Sequence, residues 1–121
     1  MAGPHEAFDT GLRPVDVDPT RPRPIDTPWG SFAIFPCAGG LRAVQSFCPH
    51  LMGPLFQGSV AGGAVTCPWH QWRFDLSSGE RLDEHGGRIP GGARLRTLEV
   101  RIGPRGTLLF LADGRGARGG P

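Results

Sequence analysis

The chain has 121 residues, a length that suits one domain and leaves no room for a second catalytic domain. Its 13 arginines and 11 acidic residues give a formal net charge of +2, and because they are spread along the chain without a run of like charge, nothing in them indicates a nucleic-acid partner. Glycine (20 residues) and proline (13 residues) are interleaved with apolar runs, which predicts a turn-rich all-β domain rather than a disordered chain.

Residues 1–28 are rich in proline and aspartate, so they predict an extended segment that leads into the domain, with one weak strand at residues 13–17. They contain neither a basic stretch followed by an apolar run, as a secretory leader would, nor a twin arginine, nor a segment long enough to span a membrane. We therefore expect a cytoplasmic protein that has no membrane partner.

The main domain is predicted to span residues 29–112 and to consist of antiparallel strands. The segments "GSFAIFP" and "LRAVQSF" predict a hairpin that turns near residues 38–40. Farther along, "AVTC" and "WRFDLSSGE" predict two short strands, of which the second ends in a turn at residues 77–79. A last hairpin is predicted from "LRTLEVRI" and "TLLFLAD" around "GPRG", and residues 113–121 predict a flexible tail.

Two short segments, "CPH" and "CPWH", each place a cysteine, a proline and a histidine at a predicted strand end. They supply Cys48, His50, Cys67 and His70, and the proline after each cysteine fixes the turn and removes a backbone donor. Because thiols stay reduced in the cytoplasm, these side chains predict a metal site rather than a disulfide framework. Cys37 stands apart from both segments, and we expect it to be a partly buried thiol before a turn.

Two thiolates and two neutral imidazoles could bind tetrahedral zinc or an iron-sulfur cluster with asymmetric ligation. A zinc finger usually carries both cysteines on one loop and both histidines on the helix that follows, whereas each loop here carries a mixed pair and no helix follows. The mixed pairing favours a binuclear centre in which each loop gives its cysteine to one iron and its histidine to the other. A zinc-stabilised binding module is the alternative.

The segment "CPH", followed after sixteen residues by "CPWH", resembles the two-part motif of the Rieske iron-sulfur proteins. The resemblance covers roughly residues 30–111 and implies an all-β Rieske domain, with an antiparallel β-sandwich base and a small cluster-binding subdomain. It implies one [2Fe-2S] cluster per chain, with Cys48 and Cys67 on the buried iron and His50 and His70 on the outer iron. It also implies that "GPL" at residues 53–55 packs against the cluster and that "GRIPGG" at residues 87–92 covers it.

Departures from the Rieske motif indicate which group of Rieske proteins this sequence resembles most. Rieske proteins of bc-type complexes have an additional cysteine in each loop and a membrane anchor, but this sequence has Gly53 and Trp69 at those positions and no predicted anchor. "CPWHQWRFD" instead resembles soluble Rieske-type ferredoxins and the amino-terminal domains of ring-hydroxylating oxygenases, with Gln71 where glycine is frequent. High-potential relatives carry serine and tyrosine hydroxyl donors where this chain has Trp72 and Phe74, which implies a low potential.

The resemblance implies an electron-transfer protein rather than an enzyme. It would be a soluble one-electron carrier that receives electrons from a flavin or NAD(P)H-dependent reductase and passes them to an oxygenase or a similar acceptor. The alternative is a Rieske-like small or regulatory subunit of a larger oxidoreductase, similar to the small subunit of assimilatory nitrite reductases. The acidic residues show no spacing that predicts acid-base catalysis, so we assign no catalytic residue, and His5 and His85 are expected to be solvated loop residues.

Overall fold

The computed structural model describes residues 6–37, 40–49 and 51–112, and its regular structure is dominated by short antiparallel strands. In this part of the chain the helices are two three-residue 3-10 turns, Pro14–Asp16 and Leu55–Gln57, so no described helix is long enough to cross a membrane. The strands are β1 (Glu6–Asp9), β2 (Ile25–Thr27), β3 (Gly30–Cys37), β4 (Gly40–Gln45), β5 (Ser59–Ala61), β6 (Ala64–Thr66), β7 (Arg73–Asp75), β8 (Arg81–Leu82), β9 (Thr97–Ile102) and β10 (Leu108–Ala112).

Six of the strands form the larger sheet, in the order β1-β10-β9-β4-β3-β2. The predicted hairpin of β3 and β4 is confirmed, with Phe32 opposite Gln45 at one end and Cys37 opposite Gly40 at the other. Residues 38 and 39 of its predicted turn lie outside the described residues. The predicted final hairpin is also confirmed, since β9 pairs with β10 around a turn at residues 103–106.

The weak strand predicted at residues 13–17 is wrong, because the chain forms a 3-10 turn there. Proline fixes φ at Pro14, and the Asp16 carboxylate accepts a hydrogen bond of 2.9 Å from the Arg13 backbone N–H, which favours a tight turn over an extended strand. On either side of this turn, β1 pairs with β10 and β2 pairs with β3. The division at residue 28 stays a prediction, but strands on its N-terminal side belong to the larger sheet.

The other four strands form a smaller sheet in the order β5-β6-β7-β8, inserted in the sequence between β4 and β9. The loop of residues 48–53, here called loop 1, precedes this sheet, and the loop of residues 67–72, loop 2, joins β6 to β7. The antiparallel all-β architecture is therefore as predicted, with a base sheet and a small sheet: loop 1 lies between β4 of the base sheet and β5, and loop 2 joins β6 to β7 of the small sheet.

The described side chains form two apolar clusters, and β3 contributes to both of them. Ala33 and Phe35 belong to the first cluster, which also includes both loop cysteines and the small sheet's Phe74. Phe32 and Ile34 belong to the second, with members from β4, β9 and β10. Side chains of a strand alternate between its two faces, so the unbroken apolar run "FAIF" reflects a strand that is buried on both sides.

Candidate metal centre

Three of the four predicted ligands come together between the two loops. The Sγ atoms of Cys48 and Cys67 and a ring nitrogen of His70 all lie within 4.8 Å of one another. Both cysteines are fully buried and His70 is half-buried, with its Nε2 at 3.7 Å from Cys67 Sγ. The fourth predicted ligand, His50, lies outside the described residues. The complete ligand set therefore stays a prediction.

The two loops hold their cysteines through the same pattern of backbone hydrogen bonds. In each loop the N–H of the fourth residue after the cysteine donates to the cysteine carbonyl, from Met52 at 2.8 Å in loop 1 and from Gln71 at 3.1 Å in loop 2. The cysteine N–H in turn donates to the carbonyl of the fifth residue, at 2.8 Å in both loops. Each cysteine is thus fixed by main-chain bonds on both sides of its Cα.

This shared pattern requires a left-handed residue in each loop. Met52 has a φ of 59° and Gln71 a φ of 62°, and they are the non-glycine residues with positive φ in the described part of the chain. Glycine adopts this conformation without strain, whereas in other residues the Cβ atom makes it energetically unfavourable. The geometry explains why glycine is frequent at the position of Gln71 in the family that the motif resembles.

Gly53 is the point at which loop 1 touches loop 2. A Cβ atom on this buried residue would lie 3.0 Å from Cys67 Sγ and 3.1 Å from the Cγ and Cδ2 atoms of Trp69. Those distances are shorter than most real Cβ contacts, so a side chain here would require Cys67 or Trp69 to shift by a few tenths of an ångström. Gly53 and Trp69, which stand where bc-type relatives have cysteines, are therefore in direct contact here.

Ser46, which sequence reasoning did not single out, anchors loop 1 to the base sheet. It is fully buried two residues before Cys48, and its hydroxyl lies 2.8 Å from the Ser31 hydroxyl of β3. Its carbonyl accepts a hydrogen bond of 3.1 Å from the Phe56 N–H beyond the loop. A serine before a cysteine carries no distinctive pattern, because its partner is 15 residues away in the sequence.

Trp72 lies beside His70 on the other side of the site. The two ring centroids are 5.2 Å apart at an interplanar angle of 65°, an edge-to-face contact. The guanidinium carbon of Arg81 lies 3.4 Å from the Trp72 ring centroid, well within cation-π distance. Arg81 was not predicted as a site residue, since it belongs to β8 and reaches the tryptophan only through the pairing of β7 with β8.

The outward side of the loops is apolar. Leu51 is 59% exposed, and Met52 and Trp69 are each 63% exposed. Large exposed apolar side chains therefore lie close in sequence to both buried cysteines.

The segment of residues 87–92 lies beside β8. None of its described contacts places it over the proposed ligands. The Ile89 N–H donates to the Arg81 carbonyl at 3.0 Å, and an isolated bridge joins Leu82 to Arg88. The expectation that this segment covers a cluster stays a prediction. Of the other predicted positions, His85 is an exposed loop residue and Cys37 is a half-buried thiol at the end of β3, as expected, whereas His5 lies outside the described residues.

A family model for the Rieske [2Fe-2S] domain matches residues 12–89, which is more than half of the chain. The chain belongs to the Rieske [2Fe-2S] family. The family's cofactor fits the residues present, because two buried thiol sulfurs and an imidazole nitrogen within 4.8 Å are the donor types of a Rieske cluster. The zinc-stabilised module is therefore not retained.

The curated relatives match the chain over a small part of their own length. It is 40% identical over 78 residues to the 4beta-methylsterol monooxygenase of Methylococcus capsulatus, covering 63% of this chain and 21% of that protein. The chain spans about a fifth or less of the length of the curated relatives that it matches.

Two solved structures are matched over nearly their whole length. One is the ferredoxin of Sphingomonas yanoikuyae B1, with a TM-score of 0.68, 19% identity, and 87% of this chain and 97% of that chain covered. The other is described as an NADH-dependent nitrite reductase small subunit from Mycobacterium tuberculosis, with a TM-score of 0.61, 21% identity, and 88% and 93% covered. At these identities the matches show a shared fold.

Proposed function

We propose that this Rieske protein is a one-electron carrier rather than an enzyme. The observation that carries the proposal is the group of Cys48, Cys67 and His70, whose ligand atoms lie within 4.8 Å of one another in loops that also expose Leu51, Met52 and Trp69. A bound [2Fe-2S] cluster supplies one-electron redox chemistry, while the protein determines its potential, its exposure and its docking. A full-length match to a ferredoxin structure supports a carrier fold.

The proposed ligands are Cys48 and Cys67 for the buried iron and His50 and His70 for the outer iron. The complete burial of both cysteines and the half-burial of His70 support this division, because they give the thiolate side no access to solvent and the imidazole side a path to it. An electron leaving through a partly exposed imidazole needs only a small contact with the partner, below about 1,200 Å² in total.

The proposed partners are a flavin or NAD(P)H-dependent reductase as donor and an oxygenase or similar protein as acceptor. The exposed apolar side chains of loops 1 and 2 support a protein partner rather than nucleic acid, which would require a basic surface. We place the exchange in the cytoplasm, where these partners and reduced thiols coexist.

The potential is proposed to be low for a Rieske centre. Phe74, fully buried seven residues after Cys67, has no hydrogen-bond donor, and the tryptophan at position 72 replaces a hydroxyl. Donors to the cluster stabilise the reduced state, so their loss should place the potential near the lower end of the range of about −150 to +300 mV.

A second candidate is a small subunit of a larger oxidoreductase. The structural match to a nitrite reductase small subunit, over 93% of that chain, favours it specifically. In that case the fold would serve assembly more than electron flow, and loss of the cluster would matter little to the complex.

The test compares three cysteine variants for iron, acid-labile sulfide and the electron paramagnetic resonance signal of the reduced state. Cys48→Ser and Cys67→Ser should lose iron and sulfide almost completely. Cys37→Ser is the matched control, because Cys37 is the remaining cysteine and ends β3 outside both loops, and it should bind as much iron as the wild type. Protein-film voltammetry of the wild type should then give a low potential.

A normal reduced-state spectrum in either loop-cysteine variant would contradict the ligand set. A wild-type potential above roughly +100 mV, in the upper part of the Rieske range, would contradict the low-potential carrier and favour a quinol-oxidising role. A wild-type protein without iron and sulfide after anaerobic preparation would favour the subunit alternative.

A further inference from the structure

Arg81 is an arginine on the inward face of the small sheet. It lies directly opposite Phe74 in the pairing of β7 with β8, and directly opposed residues of an antiparallel pair project their side chains to the same face. Phe74 is completely buried, whereas Arg81 is half-buried, and its guanidinium lies against Trp72 at the edge of the apolar cluster. Its Nε atom is buried, and among the described residues no acceptor lies within hydrogen-bond distance of it.

The positive charge of Arg81 has an aromatic ring as its neighbour rather than a carboxylate. Its guanidinium carbon lies 3.4 Å from the centroid of Trp72, and no described carboxylate forms an ion pair with it. The adjacent Glu80 is instead paired with Arg88 at 3.1 Å. An arginine stays protonated at any ordinary pH, so this position carries a positive charge that no described counter-ion neutralises.

Trp72 connects that charge to the metal centre. Its indole contacts the guanidinium of Arg81 and meets the His70 imidazole at a centroid distance of 5.2 Å. The indole ring thus contacts both groups, and all three side chains are half-buried. The charge of Arg81 is therefore only partly screened by solvent, and Coulomb interactions in a partly buried site are stronger than in water.

We propose that Arg81 is a positioning residue for Trp72 and His70 and that its charge raises the reduction potential of the [2Fe-2S] cluster. The inference rests on the proposed ligand His70. Reduction adds one electron to the cluster and no other atom, so a nearby cation stabilises the reduced form more than the oxidised form. Arg81 thus partly offsets the absence of hydroxyl donors at positions 72 and 74.

The experiment measures the midpoint potential of anaerobically purified holoprotein in three variants. Arg81→Met removes the charge and keeps an unbranched side chain. Arg81→Lys keeps the charge but lacks the planar group that lies on the indole. Arg105→Met is the control, since it removes an exposed arginine from the turn after β9, and β9 runs away from the loop 1 end of β4.

We expect Arg81→Met to make the equilibrium constant for reduction of the cluster about threefold to tenfold smaller. A tenfold decrease corresponds to a midpoint potential lower by about 59 mV for one electron. Arg81→Lys should lower it by less than half as much, and Arg105→Met should leave it unchanged. Iron and sulfide contents should match the wild type in all three proteins, because none of these residues is a proposed ligand.

An iron-loaded Arg81→Met protein with the wild-type potential, or with the same shift as Arg105→Met, would overturn the inference. If Arg81→Met does not retain iron, Arg81→Gln is used in its place. Equal midpoint potentials in Arg81→Gln and Arg81→Lys would then also overturn the inference. Failure of the proposed function is recognised separately, because it would appear as missing iron and sulfide in the wild-type protein.

Discussion

A Cβ atom added at Gly53 would be crowded by loop 2, at 3.0 Å from Cys67 Sγ and 3.1 Å from Trp69. We predict that Gly53→Ala destabilises the protein by about 1–3 kcal/mol, as expected for overpacking, and accelerates the loss of iron, because the new Cβ pushes against Cys67 Sγ and Trp69. Thermal melting followed by near-ultraviolet circular dichroism, together with iron release to a chelator, measures both effects.

The control for this substitution is Gly63→Ala. Gly63 has a φ of 78° but nothing within 4 Å of an added Cβ, so this variant introduces backbone strain without crowding. It should melt at a lower temperature than the wild type and yet release iron at the wild-type rate. Equal iron release in the two variants would show that crowding at Gly53 is not the cause.

Gln71 adopts a left-handed conformation that suits glycine better. We predict that Gln71→Gly stabilises the protein by about 0.5–1 kcal/mol, since relief of the strain exceeds the added entropy of the unfolded chain. Chemical denaturation of the holoprotein measures the change. Gln57→Gly, at an exposed position without positive φ, should destabilise it, and a lower stability of the Gln71 variant would refute the strain argument.

That Cys48, Cys67 and His70 lie together could be predicted from the sequence, because cysteine, proline and histidine form a short and rare pattern. Ser46 and Arg81 could not be predicted, since each acts through a partner that only strand pairing brings near. Ser46 depends on Ser31 of β3, and Arg81 depends on the residues of β7. A sequence pattern reports neighbours along the chain, whereas these contacts depend on register.

The turn that follows β7 depends on a single carboxylate. Asp75 Oδ1 accepts hydrogen bonds of 2.8 Å from both the backbone N–H and the hydroxyl of Ser77, and one of 3.3 Å from the Ser78 N–H. Burial alone would raise the pKa of Asp75, but these hydrogen bonds outweigh it and hold the pKa below its ordinary value. The turn should therefore be sensitive to acid.

We predict that Asp75→Asn lowers stability at pH 6 and loses that disadvantage in acid. Because the pKa is lower in the folded than in the unfolded protein, the carboxylate's contribution is complete above about pH 4 and disappears as the pH falls through the folded pKa. Thermal melting of both proteins between pH 6 and pH 3 measures the difference.

Asp26→Asn, which removes an exposed carboxylate from β2, is the matched control for this pH series. Its melting temperature should run parallel to that of the wild type across the range. A constant gap between wild type and the Asp75 variant down to pH 3 would contradict the assigned role.

Strand prediction succeeded where paired strands are neighbours in sequence, as for β3 with β4, β6 with β7 and β9 with β10. It failed for β1 and β2, which have four and three residues and acquire their structure from partners already in the sheet. Glu6 pairs with Ala112, more than a hundred residues away, so no local pattern could show it. Pro14 then breaks the intervening chain into a 3-10 turn.

The two apolar clusters differ in their dependence on the metal site. The first cluster contains both loop cysteines, while the second consists of base-sheet residues and contains neither. We predict that removal of iron increases amide hydrogen exchange chiefly in loops 1 and 2 and in β6 and β7. The second cluster should keep β9 and β10 protected, because its contacts do not involve the ligands.

Hydrogen-exchange mass spectrometry of holoprotein and of protein stripped by a chelator tests this expectation. β10 is the internal control, since Leu108, Phe110 and Ala112 lie in the second cluster. Equal loss of protection in β10 and in β7 would show that the two clusters unfold as one cooperative unit and would refute the separation.

The matched main-chain bonds of the two loops have an evolutionary consequence. Because backbone groups fix each cysteine, the exposed side chains of Leu51, Met52 and Trp69 are not needed to aim the sulfurs. Of the three, Leu51 is the position free of other described constraints, since Met52 has a positive φ and Trp69 lies beside Gly53. A docking surface can thus change at Leu51 while the main-chain bonds that hold both cysteines stay the same.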